Sequence, residues 1–166
     1  MIELAVVRTP IGALTLAARD GRTCLLHFGD DEPAARSCLS KWYGDVPVRS
    51  VSDPGGTASV LERYFSGELD ALDAVEVEMN GTEFQRKVWT ALRDVKAGTT
   101  ASYGQLARTI GSPAAVRAVG AANGANPVAV IVPCHRIIGS NGTLTGYGGG
   151  LERKQWLLRH EGGRLF

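Results

Sequence analysis

The sequence predicts a small α/β domain over residues 1–79, followed by a mostly α-helical domain over residues 80–166 that contains a helix-turn-helix. Three observations support this division. Short apolar segments separated by turn residues come first, amphipathic helical patterns dominate from Thr82 onward, and the net charge changes sign between the two halves.

Three apolar segments near the N-terminus predict an antiparallel strand meander. These segments are Leu4–Val7, Ala13–Ala18 and Thr23–Phe28, with turn residues at Thr9-Pro10-Ile11-Gly12 and Asp20-Gly21 between them. Helical patterns follow at about 31–43 and 54–66, and Val75–Met79 can return as a strand. The first half is therefore expected to form a small α/β layer.

The second half begins with a helix for which Thr82 is the expected N-cap. Its apolar residues recur at helical spacing: Phe84, Val88, Ala91, Leu92 and Val95. Ser102 is expected to cap a short helix that ends at Gly111, and Ser112-Pro113 to begin another. Two helices joined by a tight glycine turn are typical of a helix-turn-helix, although paired helices of this kind also occur in bundles.

The second of these paired helices is expected to present one long cation on a smooth face. If Val116 and Val119 define its buried side, Arg117 points outward. Its neighbours on that face are small: Ala114, Gly120, Ala121 and Gly124. A helix with so little side-chain bulk can approach another backbone closely. The alternative is that this face packs against another helix and that Arg117 is merely solvated at the edge.

The charge distribution favours a polyanionic partner for the second half only. Residues 1–78 contain 7 Lys and Arg against 13 Asp and Glu, whereas residues 79–166 contain 11 against 4. The overall net charge of +1 conceals this asymmetry. Chance clustering on solvated faces is the other explanation.

The sequence also suggests where the protein acts. No apolar run approaches the roughly 20 residues needed to cross a bilayer, and Glu3 stands where a signal peptide would carry basic residues. Three cysteines are an odd number without paired spacing, which argues against a secreted disulfide framework. We expect a soluble, cytoplasmic monomer that does not associate with membranes.

The expected chemical centre follows the apolar run Val128–Val132, which is interpreted as a buried strand. Cys134, His135 and Arg136 come directly after Pro133. A thiol with a pKa of roughly 8.5 becomes an effective nucleophile near neutral pH when a base or a positive environment promotes the thiolate. His135 is the adjacent candidate base, but neighbours on an extended chain point to opposite sides, so a contact requires a turn at Cys134 or a bridging water. Many such Cys-His neighbours are structural accidents.

No cofactor or metal is expected. The glycine-rich segment 139–150 lacks the Gly-Lys-Ser/Thr ending of a P-loop and the third glycine of a dinucleotide fingerprint. Cys24, His27 and Cys38 could supply three zinc ligands, but no fourth ligand is evident, and buried structural thiols are the better explanation.

The segment Pro133-Cys134-His135-Arg136, preceded by Asn126-Pro127 and followed by Gly146-Tyr147-Gly148-Gly149-Gly150, resembles the active-site signature of the 6-O-alkylguanine-DNA alkyltransferases, also called methylated-DNA-protein-cysteine methyltransferases. Further segments match the catalytic domain of that family in order and spacing: Gly81–Gln85, Ser102–Gly104, Arg117–Gly120 and His160–Gly162. The N-terminal meander resembles the family's ribonuclease-H-like domain more loosely. The resemblance implies a winged-helix-like second domain that binds double-stranded DNA containing 6-O-alkylguanine through its helix-turn-helix.

The resemblance implies a set of catalytic roles. Cys134 would accept the alkyl group, His135 would take the thiol proton through a water, and Glu161 would hold the imidazole. Asn126 would brace the active-site turn, and Tyr103 would donate to a ring nitrogen of the extruded guanine and crowd the 3′ phosphate. Transfer from the 6-oxygen of guanine, and also from the 4-oxygen of thymine, would then occur once per molecule, because a thioether has no easy hydrolytic exit.

The resemblance also implies how DNA and the base are bound. Arg117 would replace the extruded base in the stack, with Ala114, Gly120, Ala121 and Gly124 around it. The guanine would contact Tyr147, the Gly148 N–H and the carbonyls of Cys134 and Ile137. Two departures from vertebrate members concern the pocket: Asn123 replaces an apolar side chain, and Gly148 lacks a hydroxyl.

Two other functions remain open at this point. A Cys-His hydrolase would need an oxyanion hole, and it would leave the basic half and the helix-turn-helix unexplained. A lesion-sensing DNA-binding protein without chemistry would not need Cys134.

Overall fold

The computed structural model describes residues 1–162. The chain forms two compact units: Met1–Asn80 together with Pro127–Ala129, and Gly81–Asn126 together with the chain from Val130 onward. Over the described residues, no helix combines the length and hydropathy needed to span a membrane.

A four-stranded sheet forms the first unit. Its strands are β1 (Ile2–Thr9), β2 (Gly12–Arg19), β3 (Arg22–Phe28) and β4 (Val48–Ser50), in the order β3-β2-β1-β4. The expected meander β1-β2-β3 is confirmed as antiparallel, and β4 pairs in parallel with β1. At the β2–β3 turn, Asp20 and Gly21 both have positive φ, 51° and 79°, which is the geometry of the tight hairpin turns that match strand twist.

The helices of the first unit are α1 (Glu32–Tyr43) and α2 (Thr57–Phe65), close to the expected ranges. Asp31 caps α1 by accepting a hydrogen bond from the Ala34 N–H, and a short 3₁₀ turn, Pro54–Gly56, precedes α2. The strand expected at Val75–Met79 does not form. Val77 makes only an isolated bridge, with Thr23, and a 3₁₀ helix, Leu69–Ala74, comes just before this segment.

One core cluster of the first unit lies between the sheet and α1. Its buried members are Ile2, Leu4, Ala17, Cys24, Leu25, Ala35 and Leu39. Cys38 packs against this cluster, and burial raises the pKa of the Cys24 thiol to about 11. Within the part of the chain that the structure describes, no group of His, Cys, Asp and Glu side chains is arranged to hold a metal ion. Cys24 is fully buried within this cluster, and Cys38 is partly buried at its edge.

Up to residue 162, the second unit contains four α-helices and a two-stranded parallel pair. The helices are α3 (Glu83–Leu92), α4 (Tyr103–Thr109), α5 (Val116–Gly124) and α6 (Leu151–His160), and the paired strands are β5 (Ala101–Ser102) and β6 (Ile137–Ile138). Thr82 and Ser102 are confirmed as N-caps, and each forms a reciprocal capping box with a glutamine three residues later. The expected stop after α4 is confirmed at Gly111, whose φ is +76°.

The expected start of α5 at Ser112-Pro113 is wrong. Residues 112–115 form a turn, closed by a hydrogen bond from the Ala115 N–H to the Ser112 carbonyl, and the helix begins at Val116. Val116 is 42% exposed rather than buried. Helical side chains lean toward the N-terminus, so the side chain of a first residue projects past the end of its helix. The buried side consists of Val119, Ala122 and Asn123.

The expected strand Val128–Val132 is also wrong, although all five residues are buried. Val128 makes an isolated bridge with Leu26, and the chain then turns through Val130, whose φ is +70°. A short apolar run predicts burial but does not distinguish a strand from a buried turn.

Candidate active site

Cys134 lies at the first position of a 3₁₀ helix, Cys134–Arg136, and is only 7% exposed. Its N–H donates to the Val132 carbonyl at 2.8 Å, and the Asn126 Nδ2 donates to the same carbonyl at 2.7 Å. The Asn126 side chain also acts to lower the pKa of the Cys134 thiol. Asn126 is therefore hydrogen-bonded to the turn that leads into Cys134.

A buried ion-pair cluster lies directly beside the cysteine. His135 Nε2 is 2.9 Å from Glu161 Oε2, and neither side chain is more than 1% exposed. Arg136 donates to both carboxylate oxygens of Glu161, from Nε at 2.9 Å and from Nη2 at 2.8 Å. Its Nη1 donates to the Val95 carbonyl at 2.6 Å. The sequence motif contained Arg136 without a role for it; the structure makes it the counter-ion of Glu161.

The protonation states of this cluster follow from its surroundings. Burial acts to raise the pKa of Glu161, but the hydrogen bonds and charges of Arg136 and His135 outweigh it and hold that pKa well below its usual range. Burial lowers the pKa of His135 despite Glu161, so the imidazole is neutral. An ionised carboxylate can only accept, so His135 Nε2 carries the proton and Nδ1 carries the lone pair. Among residues 1–162, that buried Nδ1 has no hydrogen-bond partner.

The Cys134 thiol is in a mixed environment. Burial raises its pKa, whereas the Asn126 side chain, the charge of Lys154 and the Tyr147 hydroxyl act to lower it. The resting Cys134 is thus a protonated thiol. Nearby groups can stabilise its thiolate form.

Lys154 is a site residue that the sequence reasoning missed. It is fully buried on α6, and its Nζ donates to the Ile137 carbonyl at 2.6 Å and to the Thr145 carbonyl at 3.3 Å. Lys154, Leu157, Leu158 and Glu161 are all buried, at helical spacing i, i+3, i+4 and i+7. That spacing could have identified Lys154 as an inward-facing cation.

Tyr103, the first residue of α4, contacts the glycine-rich segment. Its hydroxyl lies 2.8 Å from Thr145 Oγ1. Its ring lies beside Gly120, where a Cβ atom would be 3.8 Å from the ring. A Cβ atom at this position would therefore make an ordinary van der Waals contact with the Tyr103 ring.

The other expected base-contact residues differ in their surroundings. The Cys134 carbonyl accepts from the Ile137 N–H and lies 3.5 Å from Asn123 Nδ2. Asn123 is 5% exposed, and its Oδ1 has no hydrogen-bond partner within the described part of the chain. A Cβ atom at Gly148 would meet open space.

The outward face of α5 carries Arg117, Ala121 and Gly124, which are exposed, and Gly120, which is half-buried. Ala114, expected on the same helix face, is exposed but lies in the turn before the helix. The Arg117 side chain therefore projects from a surface on which the neighbouring side chains are small.

Comparison with known proteins gives a consistent result. Residues 83–163 match the family model described as "6-O-methylguanine DNA methyltransferase, DNA binding domain". A methylated-DNA–protein-cysteine methyltransferase of Salmonella typhimurium is 58% identical over 113 residues, which cover 68% of this chain and 66% of that protein. This chain thus spans just under two thirds of the length of that relative.

Two further matches extend over nearly the whole chain. A methylated-DNA–protein-cysteine methyltransferase of Mycolicibacterium paratuberculosis is 48% identical over 164 residues, covering 97% of this chain and 93% of that protein. The structure of Mycobacterium tuberculosis OGT in complex with DNA superposes with a TM-score of 0.78 and 42% identity, covering 96% of this chain and 92% of that one. The chain, with its buried Cys134 beside a His135–Glu161 pair, therefore belongs to the methylated-DNA–protein-cysteine methyltransferase family.

Proposed function

We propose that this protein repairs DNA by transferring a methyl or other alkyl group from the 6-oxygen of guanine to the sulfur of Cys134, irreversibly and once per molecule. The 4-oxygen of thymine is a second target of the same chemistry. The observation that carries the proposal is the neutral His135 beside the buried, Asn126-braced Cys134, with Glu161 bonded to the far side of the imidazole. The names of the relatives and the DNA bound in the OGT structure agree with it.

Activation begins at His135. Its Nδ1 takes the thiol proton through a water, and the hydrogen bond to Glu161 stabilises the imidazolium that forms. Arg136 keeps Glu161 ionised throughout, so the carboxylate does not itself take the proton. Lys154 and Tyr147 favour the resulting thiolate.

Transfer is a displacement at a saturated carbon. The sulfur forms a bond to that carbon as the carbon–oxygen bond breaks, and the electron pair passes to the guanine oxygen and ring. Tyr103 donates a hydrogen bond to a ring nitrogen of the leaving base. The proton that Cys134 loses balances the proton that the released guanine gains. The thioether product persists, so the protein is consumed.

DNA binds to α4 and α5, which act as a helix-turn-helix. Extruding a base from a duplex costs a few kcal/mol. Arg117 fills the gap in the stack, and the small residues around it let α5 approach the backbone closely. The extruded base is held by Tyr147, by the Gly148 N–H and by the carbonyls of Cys134 and Ile137.

The finer architecture and setting belong to the same proposal. The first unit is a ribonuclease-H-like domain and the second a winged-helix-like domain; the expected division between residues 79 and 80 differs from these units only at Asn80 and Pro127–Ala129. The protein acts as a monomer in the cytoplasm, a reducing compartment that suits its three free cysteines, Cys24, Cys38 and Cys134.

The test is a titration of methylated duplex against a fixed amount of protein, followed by intact-mass measurement and peptide mapping. We expect one methyl group per protein, located on Cys134, and none on Cys134→Ser, which should still bind the duplex. Cys24 and Cys38 are internal controls in the same molecule. Repeated turnover, or a methyl group on another cysteine, would overturn the proposal; a hydrolase or a pure lesion sensor would give no stable adduct.

A further inference from the structure

Thr145 connects the glycine-rich segment to Tyr103. Its Oγ1 lies 2.8 Å from the Tyr103 hydroxyl in a partly buried contact. The backbone of Thr145 is itself held, because its carbonyl accepts from Lys154 Nζ at 3.3 Å. Lys154 is fully buried and also binds the Ile137 carbonyl, three residues after Cys134. The Thr145 hydroxyl is therefore fixed relative to the active-site turn.

The direction of the Tyr103–Thr145 hydrogen bond has a chemical consequence. Each hydroxyl has one proton to donate and two lone pairs that can accept. If the phenol donates to Thr145, its only proton is unavailable to a base. If Thr145 donates to the phenol, the phenol proton is available, and the hydrogen bond that the phenol accepts polarises its own O–H bond.

We propose that Thr145 is a positioning residue for Tyr103, donating to the phenol oxygen so that the phenol proton points to the ring nitrogen of the extruded base. This inference rests on the proposed function, in which Tyr103 donates to that base. The relay runs from the Thr145 hydroxyl through the Tyr103 hydroxyl to the guanine ring, and the Lys154 contact holds its first member in place.

The decisive variant is Thr145→Val, which removes the hydroxyl and keeps the branched shape. We expect single-turnover methyl transfer from duplex DNA to slow by about three- to tenfold, the range expected for one hydrogen bond. The affinity for the duplex should stay unchanged. Thr145→Ser, which retains the hydroxyl, should restore the wild-type rate. Thr145→Ala removes the hydroxyl without adding bulk and should reproduce the slowing.

A matched control lies two residues away. Thr143 is in the same segment, but its hydroxyl bonds to Asn141 Oδ1 at 2.7 Å. Thr143→Val should therefore transfer methyl groups at the wild-type rate. Equal slowing in Thr143→Val would indicate a general disturbance of the segment and would overturn the proposal.

A double-mutant cycle with Tyr103→Phe separates the inference from the proposed function. If Thr145 acts through the phenol, Thr145→Val should cause no further slowing once the phenol hydroxyl is gone. The same slowing in both backgrounds, or no slowing in either, would refute the positioning role while wild-type transfer continues. Absence of transfer by the wild-type protein would instead refute the proposed function itself.

Discussion

Glu161 accepts hydrogen bonds from both His135 and Arg136. The different roles of these two donors explain the protonation states of Glu161 and His135. Arg136 supplies the positive charge that a buried carboxylate requires, which leaves His135 free to be neutral. A neutral imidazole can accept a proton, whereas an imidazolium held permanently by Glu161 could not.

The pH dependence of methyl transfer should reveal this role of His135. Because burial raises the pKa of the Cys134 thiol, the wild-type rate should rise with pH as the thiolate forms. His135→Gln should slow transfer about a hundredfold at neutral pH, a typical contribution of a general base. The deficit should narrow in alkaline solution, where hydroxide replaces the base. Single-turnover rates from pH 6.5 to 9.5 (roughly the range across which a thiol titrates) provide the measurement.

A constant ratio of wild-type to variant rates across that pH range would contradict the role of His135 as a base. Thermal unfolding of His135→Gln serves as the control, since loss of the folded state would depress the rate at every pH.

For individual site residues, the sequence predicted those that a local motif contains but not their distant partners. Cys134 and His135 are adjacent in the chain, and their resemblance to a family signature led to Asn126 and Glu161. The Arg136–Glu161 contact spans 25 residues and the Lys154–Ile137 contact spans 17. A contact across such distances depends on the fold, so neither role could be derived from the motif alone.

Among the elements, helices with strong terminal signals were predicted best. Thr82 and Ser102 marked α3 and α4 because a capping box needs only residues three apart in the chain. By contrast, β4 has three residues and no alternating pattern, and its pairing with β1 joins segments more than forty residues apart. Apolar content identified Val128–Val132 as core, but the turn at Val130 left no sequence signal.

The exposed face of α5 leads to a prediction about Arg117. Arg117→Ala should slow repair of duplex DNA by about tenfold or more, because an unfilled gap in the stack makes base extrusion less favourable by at least 1.4 kcal/mol. Reaction with a free 6-O-alkylguanine base should remain near the wild-type rate, since no gap exists there. Paired single-turnover assays on the two substrates measure the difference.

Arg36→Ala is the matched control for this variant. Arg36 is an exposed arginine on α1, in the acidic half of the chain, and its loss changes the net charge by the same amount. We expect it to leave both reactions unchanged. Equal slowing of both substrates by Arg117→Ala would exclude the gap-filling role.

For the whole molecule, the pKa shifts predict loss of stability in acid. Burial lowers the pKa values of His135 and of half-buried His27, so unfolded chains bind protons first as the pH falls below about 6.5. The pKa of Glu161 is lowered too, so its contribution is present above about 4.3 and is lost below that pH. The free energy of unfolding should therefore be level near neutrality and fall in two overlapping stages.

Urea unfolding from pH 4 to 8, a range that brackets the unperturbed His and Glu values, tests this expectation. His135→Gln removes one titrating group, so its free energy of unfolding should depend less steeply on pH between about 6.5 and 5. An unchanged slope in this variant would show that His135 does not resist protonation in the folded protein.

The placement of Pro127–Ala129 limits how this chain can be divided. These three residues belong to the first unit, although the residues on both sides of them belong to the second. Leu26 donates its N–H to the Pro127 carbonyl and accepts from the Ala129 N–H. The polypeptide thus passes from one unit to the other three times, and no single cut can separate them. A fragment starting at Gly81 would contain Pro127–Ala129 but not β3, the strand to which these residues are hydrogen-bonded. Gene splitting or recombination at the apparent boundary would therefore leave the half that carries Cys134 incomplete.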